Sequence, residues 1–129
     1  MANDLPIPPH LNMLDAIHVR AYLEQLRDSA IKLSTTSNIT ASTTQSQGQG
    51  VLSSQLNEVA TVANTNDTVT LPPAAIGIKC IIINNGANTL QIFPNTDDDL
   101  GSGVDASTTL ASGSNVQFIA YDTINWEII

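Results

Sequence analysis

The C-terminal half of the chain, residues 68–129, consists of short apolar or alternating runs separated by clusters of Gly, Asn, Pro and Asp. Such runs, bounded by turn-forming residues, are typical of strands joined by turns in an antiparallel sheet. No other part of the chain carries a comparable set of apolar residues. The sequence therefore predicts a mainly β protein, with a small antiparallel β-sandwich or barrel-like domain that we place at residues 59–129.

Six strands are predicted in the C-terminal half, after an edge strand at residues 59–63. They lie near residues 68–71, 77–84, 89–93, 107–111, 115–121 and 125–129. The segment from Asn84 to Asn88 is rich in Asn and Gly, which tolerate the positive φ of tight turns, and it predicts a hairpin between the second and third of these six strands. Trp126 is large enough to anchor the core, and its indole N–H would need a partner if buried.

Residues 1–12 form a Pro-rich arm. Each proline fixes its own φ and pushes the preceding residue toward extended geometry, so the arm cannot be helical. Two interpretations stay open: the arm is disordered, or it is laid against a neighbour as an extended anchor. The anchoring hypothesis rests on its apolar and proline residues, which are Leu5, Pro6, Ile7, Pro8 and Pro9.

Residues 13–33 have helical periodicity. Apolar residues recur at alternating spacings of three and four, which is the seam of a heptad repeat. This seam consists of Ala16, Val19, Leu23, Leu26, Ala30 and Leu33. The pattern fits either an amphipathic helix lying on its own domain or a short coiled coil that joins identical subunits.

Residues 34–58 begin with a Ser, Thr, Asn and Gln-rich tract that contains almost no apolar side chains. Such a segment lacks the material for a core, and the sequence predicts a flexible or extended polar linker. A helix separated from the main core by this linker finds a sister helix more easily than its own core. The linker therefore favours a homo-oligomer.

Charge and cysteine content narrow the classes of partner. The chain has 4 Lys plus Arg against 12 Asp plus Glu, a formal net charge of −8. This charge opposes binding to a nucleic-acid backbone or to an anionic membrane.

Cys80, the only cysteine, is followed by three isoleucines, which predicts a buried, inert thiol. The N terminus resembles no signal peptide, so we expect the chain to be made and kept in a cytoplasm until it is assembled or released.

The sequence predicts neither an enzyme nor a cofactor. Its two histidines, His10 and His18, have no carboxylate or cysteine cluster at ligand spacing and lie outside the predicted β core. The acidic loop at residues 95–105 begins like a calcium-binding loop. However, its glycine comes one place late, it has no glutamate at the twelfth position, and no helices flank it. We therefore expect no bound metal.

The strand block resembles a β domain of tailed-bacteriophage virion structural proteins. The similarity rests on three stretches: Val69 to Ala74 (VTLPPA), Ile81 to Pro94 (IIINNGANTLQIFP) and Val116 to Ala120 (VQFIA), with Trp126 near the end. Such domains occur in capsid decoration or cement proteins and in fibre or tail components. The resemblance covers about half the chain and carries over no catalytic residue.

This resemblance implies a structural role in a virion, and the small size of the domain favours a place on the outside of the capsid. A β domain of about 60 residues buries too little surface to be comfortably stable alone, so association is expected to supply the missing burial. We expect a decoration protein, a homo-oligomer and most simply a trimer, whose arm and helix contact the major capsid protein. The alternative is a fibre or tail adhesion module that binds a host-surface glycan through residues 84–88 and 95–105, with Tyr121 and Trp126 nearby.

Overall fold

The computed structural model describes residues 19–23 and 32–129. The chain divides into two compact units, Met1–Lys32 and Leu33–Ile129. Strands make up the second unit: β1 Thr35–Thr40, β2 Leu56–Thr61, β3 Asp67–Thr70, β4 Lys79–Asn84, β5 Leu90–Phe93, β6 Thr108–Leu110, β7 Asn115–Ala120 and β8 Trp126–Ile128. Within the described residues, no helix is long and apolar enough to cross a membrane.

The strands form two sheets, one in the order β1-β2-β4-β7-β8 and one in the order β3-β5-β6. The predicted mainly β class is confirmed, and the predicted antiparallel pairing is found for half of the strand pairs. Three pairs are antiparallel (β4 with β7, β5 with β6, β7 with β8), and three are parallel (β1 with β2, β2 with β4, β3 with β5). The β2–β4 pair is parallel because β3 carries the chain back through the other sheet before β4 begins.

The core lies between the sheets and takes side chains from both. In β4, buried and half-buried positions alternate, and Cys80 and Ile82 lie on the buried face. β4 lies between β2 and β7, in the middle of the larger sheet. Each fully buried Ile or Val stabilises the fold by about 1.5–3 kcal/mol relative to an exposed side chain. The buried apolar residues are Ala41, Leu52, Val59, Val62, Val69, Leu71, Ala74, Cys80, Ile82, Leu90, Ile92, Leu100, Leu110, Phe118, Ala120 and Trp126.

The predicted hairpin between β4 and β5 is wrong, because the two strands belong to different sheets. The connecting loop crosses from one sheet to the other, and none of its residues has the positive φ that tight hairpin turns require. The Asn84 side chain holds the loop instead: it accepts a hydrogen bond from Gly86 N (2.9 Å) and donates one to Asn88 O (3.0 Å). A Cβ at Gly86 would lie 2.6 Å from Val62 N, so this close approach requires glycine.

The predicted polar linker at residues 34–58 is also wrong, because these residues belong to the β domain. Thr35–Thr40 forms β1 at the edge of the larger sheet, and Ala41 and Leu52 are buried at 2% and 3% exposure. A strand needs main-chain partners rather than apolar side chains, and threonine favours extended backbone. The β domain therefore begins at Leu33.

β1 occupies the edge of the larger sheet, so β2 lies inside it, and the pairing of the two strands is irregular. The register shifts on both sides of Ile39, and Asn38 has a φ of 59°. The Glu58 carboxylate accepts a hydrogen bond from Asn38 N at 2.8 Å, which fixes the irregularity. β2, predicted as an edge strand at residues 59–63, begins at Leu56 and lies between β1 and β4.

The described part of the predicted helix is short. Residues 19–23 are helical, and Lys32 and Leu33 are not. The rest of the predicted span, residues 13–18 and 24–31, lies outside the described residues. The Pro-rich arm, residues 1–12, lies outside them as well.

Candidate functional site

Two of the predicted seam residues lie on the described helical segment. Val19 and Leu23 are separated by one helical turn, so they share a face, and each is 57% exposed. Leu33 is 37% exposed and lies in the β unit, just before β1. The other seam residues, Ala16, Leu26 and Ala30, lie outside the described residues. So do the proposed anchoring residues Leu5, Pro6, Ile7, Pro8 and Pro9.

The acidic loop at residues 95–105 uses its carboxylates to hold its own backbone. Asp99 Oδ1 accepts hydrogen bonds from Gly101 N (2.6 Å) and Gly103 N (3.0 Å). Asp98 is buried, and its Oδ2 accepts one from Ala74 N at 2.9 Å. These bonds account for the acidic composition of the loop. No cluster of three or more His, Cys, Asp or Glu residues that could hold a metal ion occurs among residues 19–23 and 32–129.

Asp105 joins this loop to the segment that follows β1. Its Oδ1 accepts hydrogen bonds from Gln47 Nε2 (2.9 Å) and Asp97 N (2.7 Å). The same Gln47 amide also donates to Pro94 O at 2.9 Å. Gln47 lies in the tract that composition alone marks as a linker, so no sequence signal pointed to its part in the loop.

The asparagine loop at residues 84–88 uses its amide donors in the same way. Asn88 Nδ2 donates to Val62 O (2.8 Å) and Ala63 O (3.0 Å), and Asn85 Nδ2 donates to Glu58 Oε2 (3.0 Å). These groups tie β2 to the loop and are not free for a ligand. The loop therefore gives little support to the predicted glycan contact.

The two aromatic residues considered for sugar stacking differ in exposure. Trp126 is 1% exposed and packs edge-to-face on Phe118, with ring centroids 6.5 Å apart and an interplanar angle of 82°. Tyr121 is 59% exposed. Stacking needs an open ring face, so Trp126 cannot supply it in this fold.

Two shallow depressions each include a residue that has an unpaired buried polar atom. One, of about 220 Å³, lies between β1 and residues 50–53 and is lined in part by Asn57, whose Oδ1 accepts no hydrogen bond. The other, of about 290 Å³, lies beside β8 and is lined in part by Trp126, whose Nε1 donates none. The expected partner for the buried indole N–H is therefore not supplied by any described residue.

Cys80 is a structural residue in this fold. It is fully buried, and burial raises the pKa of its thiol to about 12. A neutral, inaccessible thiol is a poor nucleophile. Its Sγ accepts a hydrogen bond from Asn57 Nδ2 at 3.5 Å. The predicted burial of this side chain is confirmed.

Several carboxyl groups titrate below their ordinary range. Burial acts to raise the pKa of Asp67, but hydrogen bonds from Asn64 N (2.9 Å) and the Gln45 amide (3.2 Å) outweigh it, so the pKa lies below its ordinary value. The Gln47 amide and Asp97 N lower the pKa of Asp105. Each of these groups stabilises the fold above the unfolded-state pKa, and this contribution is lost as the pH falls through the lowered folded-state pKa.

Replacing Asp67 with Asn is expected to lower the thermal midpoint at pH 7 by a few degrees, because the charged acceptor is lost. The wild-type midpoint should hold between pH 7 and 5 and fall below about pH 4, where carboxyl groups protonate. The two curves should therefore converge at low pH. Calorimetry across this pH range checks the prediction, and a gap that stays constant down to pH 2 would contradict it.

The chain matches no family model, no curated protein sequence and no solved structure.

Proposed function

We propose that the protein is a non-enzymatic structural component of a phage virion, namely a capsid decoration or cement protein that bridges and stabilises shell subunits. The observation that carries this proposal is how the β domain uses its polar side chains. The carboxylates of Asp67, Asp98, Asp99 and Asp105 and the amides of Asn84 and Asn88 bond to the domain itself. Their chemistry maintains a shape, as a structural protein requires.

The proposed assembly is a homo-oligomer, most simply a trimer, held by the helical seam. Val19 and Leu23 support it because both are apolar, lie one helical turn apart and are each 57% exposed. Three copies would also present three arms to the major capsid protein. Several weak contacts on one particle give a far higher overall affinity than a single contact, because the later contacts form at high effective concentration.

Binding to purified shells that lack the protein tests the proposal. The intact chain is expected to bind at a saturable, stoichiometric level and to raise the temperature at which the shells break. A variant lacking residues 1–12 should keep the number of subunits of the intact chain and lose most of this binding, because the arm supplies the anchor. The native mass of the intact chain, compared with that of a single chain, gives the number of subunits.

The contrary outcomes separate the alternatives. Binding to host cells, with none to shells, would favour the fibre or tail adhesion module. Full shell binding by the variant without the arm would leave the decoration role intact and show that anchoring lies elsewhere in the chain. A native mass of one chain would overturn the oligomer.

A further inference from the structure

The two ends of the β domain differ in composition. Strands β1, β2, β4 and β8 run from one end to the other, and β3, β5 and β7 run back. The loops at residues 71–78, 94–107 and 121–125 therefore lie at the end where Leu33 leads into β1, which we call the entry end. The loops at residues 62–66, 84–89 and 111–114 lie at the far end.

Large exposed apolar side chains gather at the entry end. Ile76, Val104, Tyr121 and Ile124 are 77%, 59%, 59% and 46% exposed, and they define what we call the apolar face. The far-end loops carry Asn, Thr, Ser, Gly and Ala, with Val62 buried, and the exposed apolar side chains at this end are the two isoleucines with which β8 and the chain end. The loops at the two ends therefore differ in composition: large apolar side chains are exposed in the entry-end loops, and polar or small residues form the far-end loops.

Main-chain pairing brings these four residues to neighbouring positions. Gly77, next to Ile76, donates to Ala120 O at 2.8 Å, so it lies beside the start of the 121–125 loop. Asp99 N donates to Ile124 O at 2.8 Å, and Asp99 also bridges Val104. Contiguous exposed apolar surface on a soluble protein marks an interaction site more often than scattered residues do.

Acidic side chains surround the apolar face. The β domain, Leu33–Ile129, contains eight acidic residues and one lysine, Lys79, and five of the eight lie in the entry-end loops. Asp97 and Asp105 are exposed, and hydrogen bonds lower the pKa of Asp105 and of Asp122. The rim of the face is therefore negatively charged at neutral pH.

This charge decides which occupant fits. An anionic membrane or a nucleic-acid backbone would be repelled. A second copy docked through the same end would bring two acidic rims together, which disfavours a contact between copies. The complementary partner is a protein surface that has an apolar centre and a basic rim.

We propose that the apolar face is a second docking surface, which seats the β domain on a basic-rimmed protein surface. The identity of that surface as the capsid shell rests on the function proposed above. The loops at the far end then face away from the partner.

Two matched variants test the apolar face on undecorated shells. Replacing Ile76, Tyr121 and Ile124 together with Ser is expected to weaken binding at least about tenfold, because apolar area is lost from the contact. The control is Ile129→Ser, which removes an apolar side chain of 60% exposure outside the face and should bind like the wild type. Circular dichroism and native mass should be unchanged in both, since the replaced side chains are exposed.

A charge variant tests the basic rim. The double variant Asp97→Asn, Asp105→Asn keeps residues that tolerate the φ of 71° and 63° at these positions. Wild-type binding should weaken as salt rises, and the double variant should show a smaller dependence on salt. Wild-type binding that strengthens as salt rises would show that the partner surface has no basic rim.

The outcomes distinguish this inference from the proposed function. If the wild type binds shells and the triple Ser variant binds equally well, the apolar face is not a docking surface and the decoration role stands. If the wild type does not bind shells, the proposed decoration role is wrong, and the shell is not the partner of the apolar face. If the triple variant instead lowers the native mass, the face joins copies of the chain, and the inference is wrong.

Discussion

Replacing Trp126 with Ala is expected to lower the free energy of unfolding by about 3–5 kcal/mol. The side chain is 1% exposed and packs edge-to-face on Phe118. Its removal would leave a cavity where β8 joins the core, and neighbouring side chains would fill this cavity only in part. Urea unfolding at a constant m-value measures the loss.

Two further variants separate packing from hydrogen bonding. Trp126→Phe should cost distinctly less than Trp126→Ala, because an aromatic ring is kept and the indole Nε1 has no partner to lose. Tyr121→Ala removes an aromatic side chain that is 59% exposed, and it should change stability by no more than about 0.5 kcal/mol. A Trp126→Ala loss as small as that of Tyr121→Ala would contradict the prediction.

Asn84→Ala is expected to cost about 2–5 kcal/mol. Asn84 is fully buried at the end of β4, and its Nδ2 donates to Leu110 O (2.9 Å) in β6 of the other sheet and to Asn88 O (3.0 Å). Its Oδ1 accepts from Gly86 N at 2.9 Å. The alanine variant would leave these buried backbone groups without hydrogen-bond partners. Each unpaired group then lowers the stability by its full desolvation free energy.

The neighbouring amide provides the matched control. Asn85 is exposed, and its side chain bonds only to the exposed end of Glu58 at 3.0 Å. Asn85→Ala should therefore cost no more than about 1 kcal/mol. Faster hydrogen exchange at Gly86 N in Asn84→Ala would locate the damage, and equal costs for the two variants would show that the inter-sheet role is wrong.

The strand positions followed directly from the sequence, but their pairing did not. Alternating apolar residues placed β4, β5 and β7 to within two residues, because side chains on one face of a strand share one environment. The Asn-rich loop after β4 was interpreted as a hairpin because Asn and Gly are common in tight turns. Asn84 has another use there, since a buried amide satisfies two carbonyls and one N–H across the gap between the sheets.

The polar tract that contains β1 shows where composition fails to predict folding. Composition measures how much apolar surface a segment can bury, and on that measure residues 34–50 have no reason to fold. They fold because β2 offers an open row of main-chain donors and acceptors, and because Gln47 reaches Pro94 and Asp105. Neither partner is close in sequence.

The sequence by itself determined the mainly β fold class, the positions of most strands and the burial of Cys80. These follow from local patterns of burial, which side-chain chemistry sets residue by residue. Only the tertiary structure decided which strands pair, which polar groups are consumed inside the β domain, and that Ile76, Val104, Tyr121 and Ile124 meet at one end. Those outcomes depend on contacts between residues far apart in the chain, and no local pattern records them.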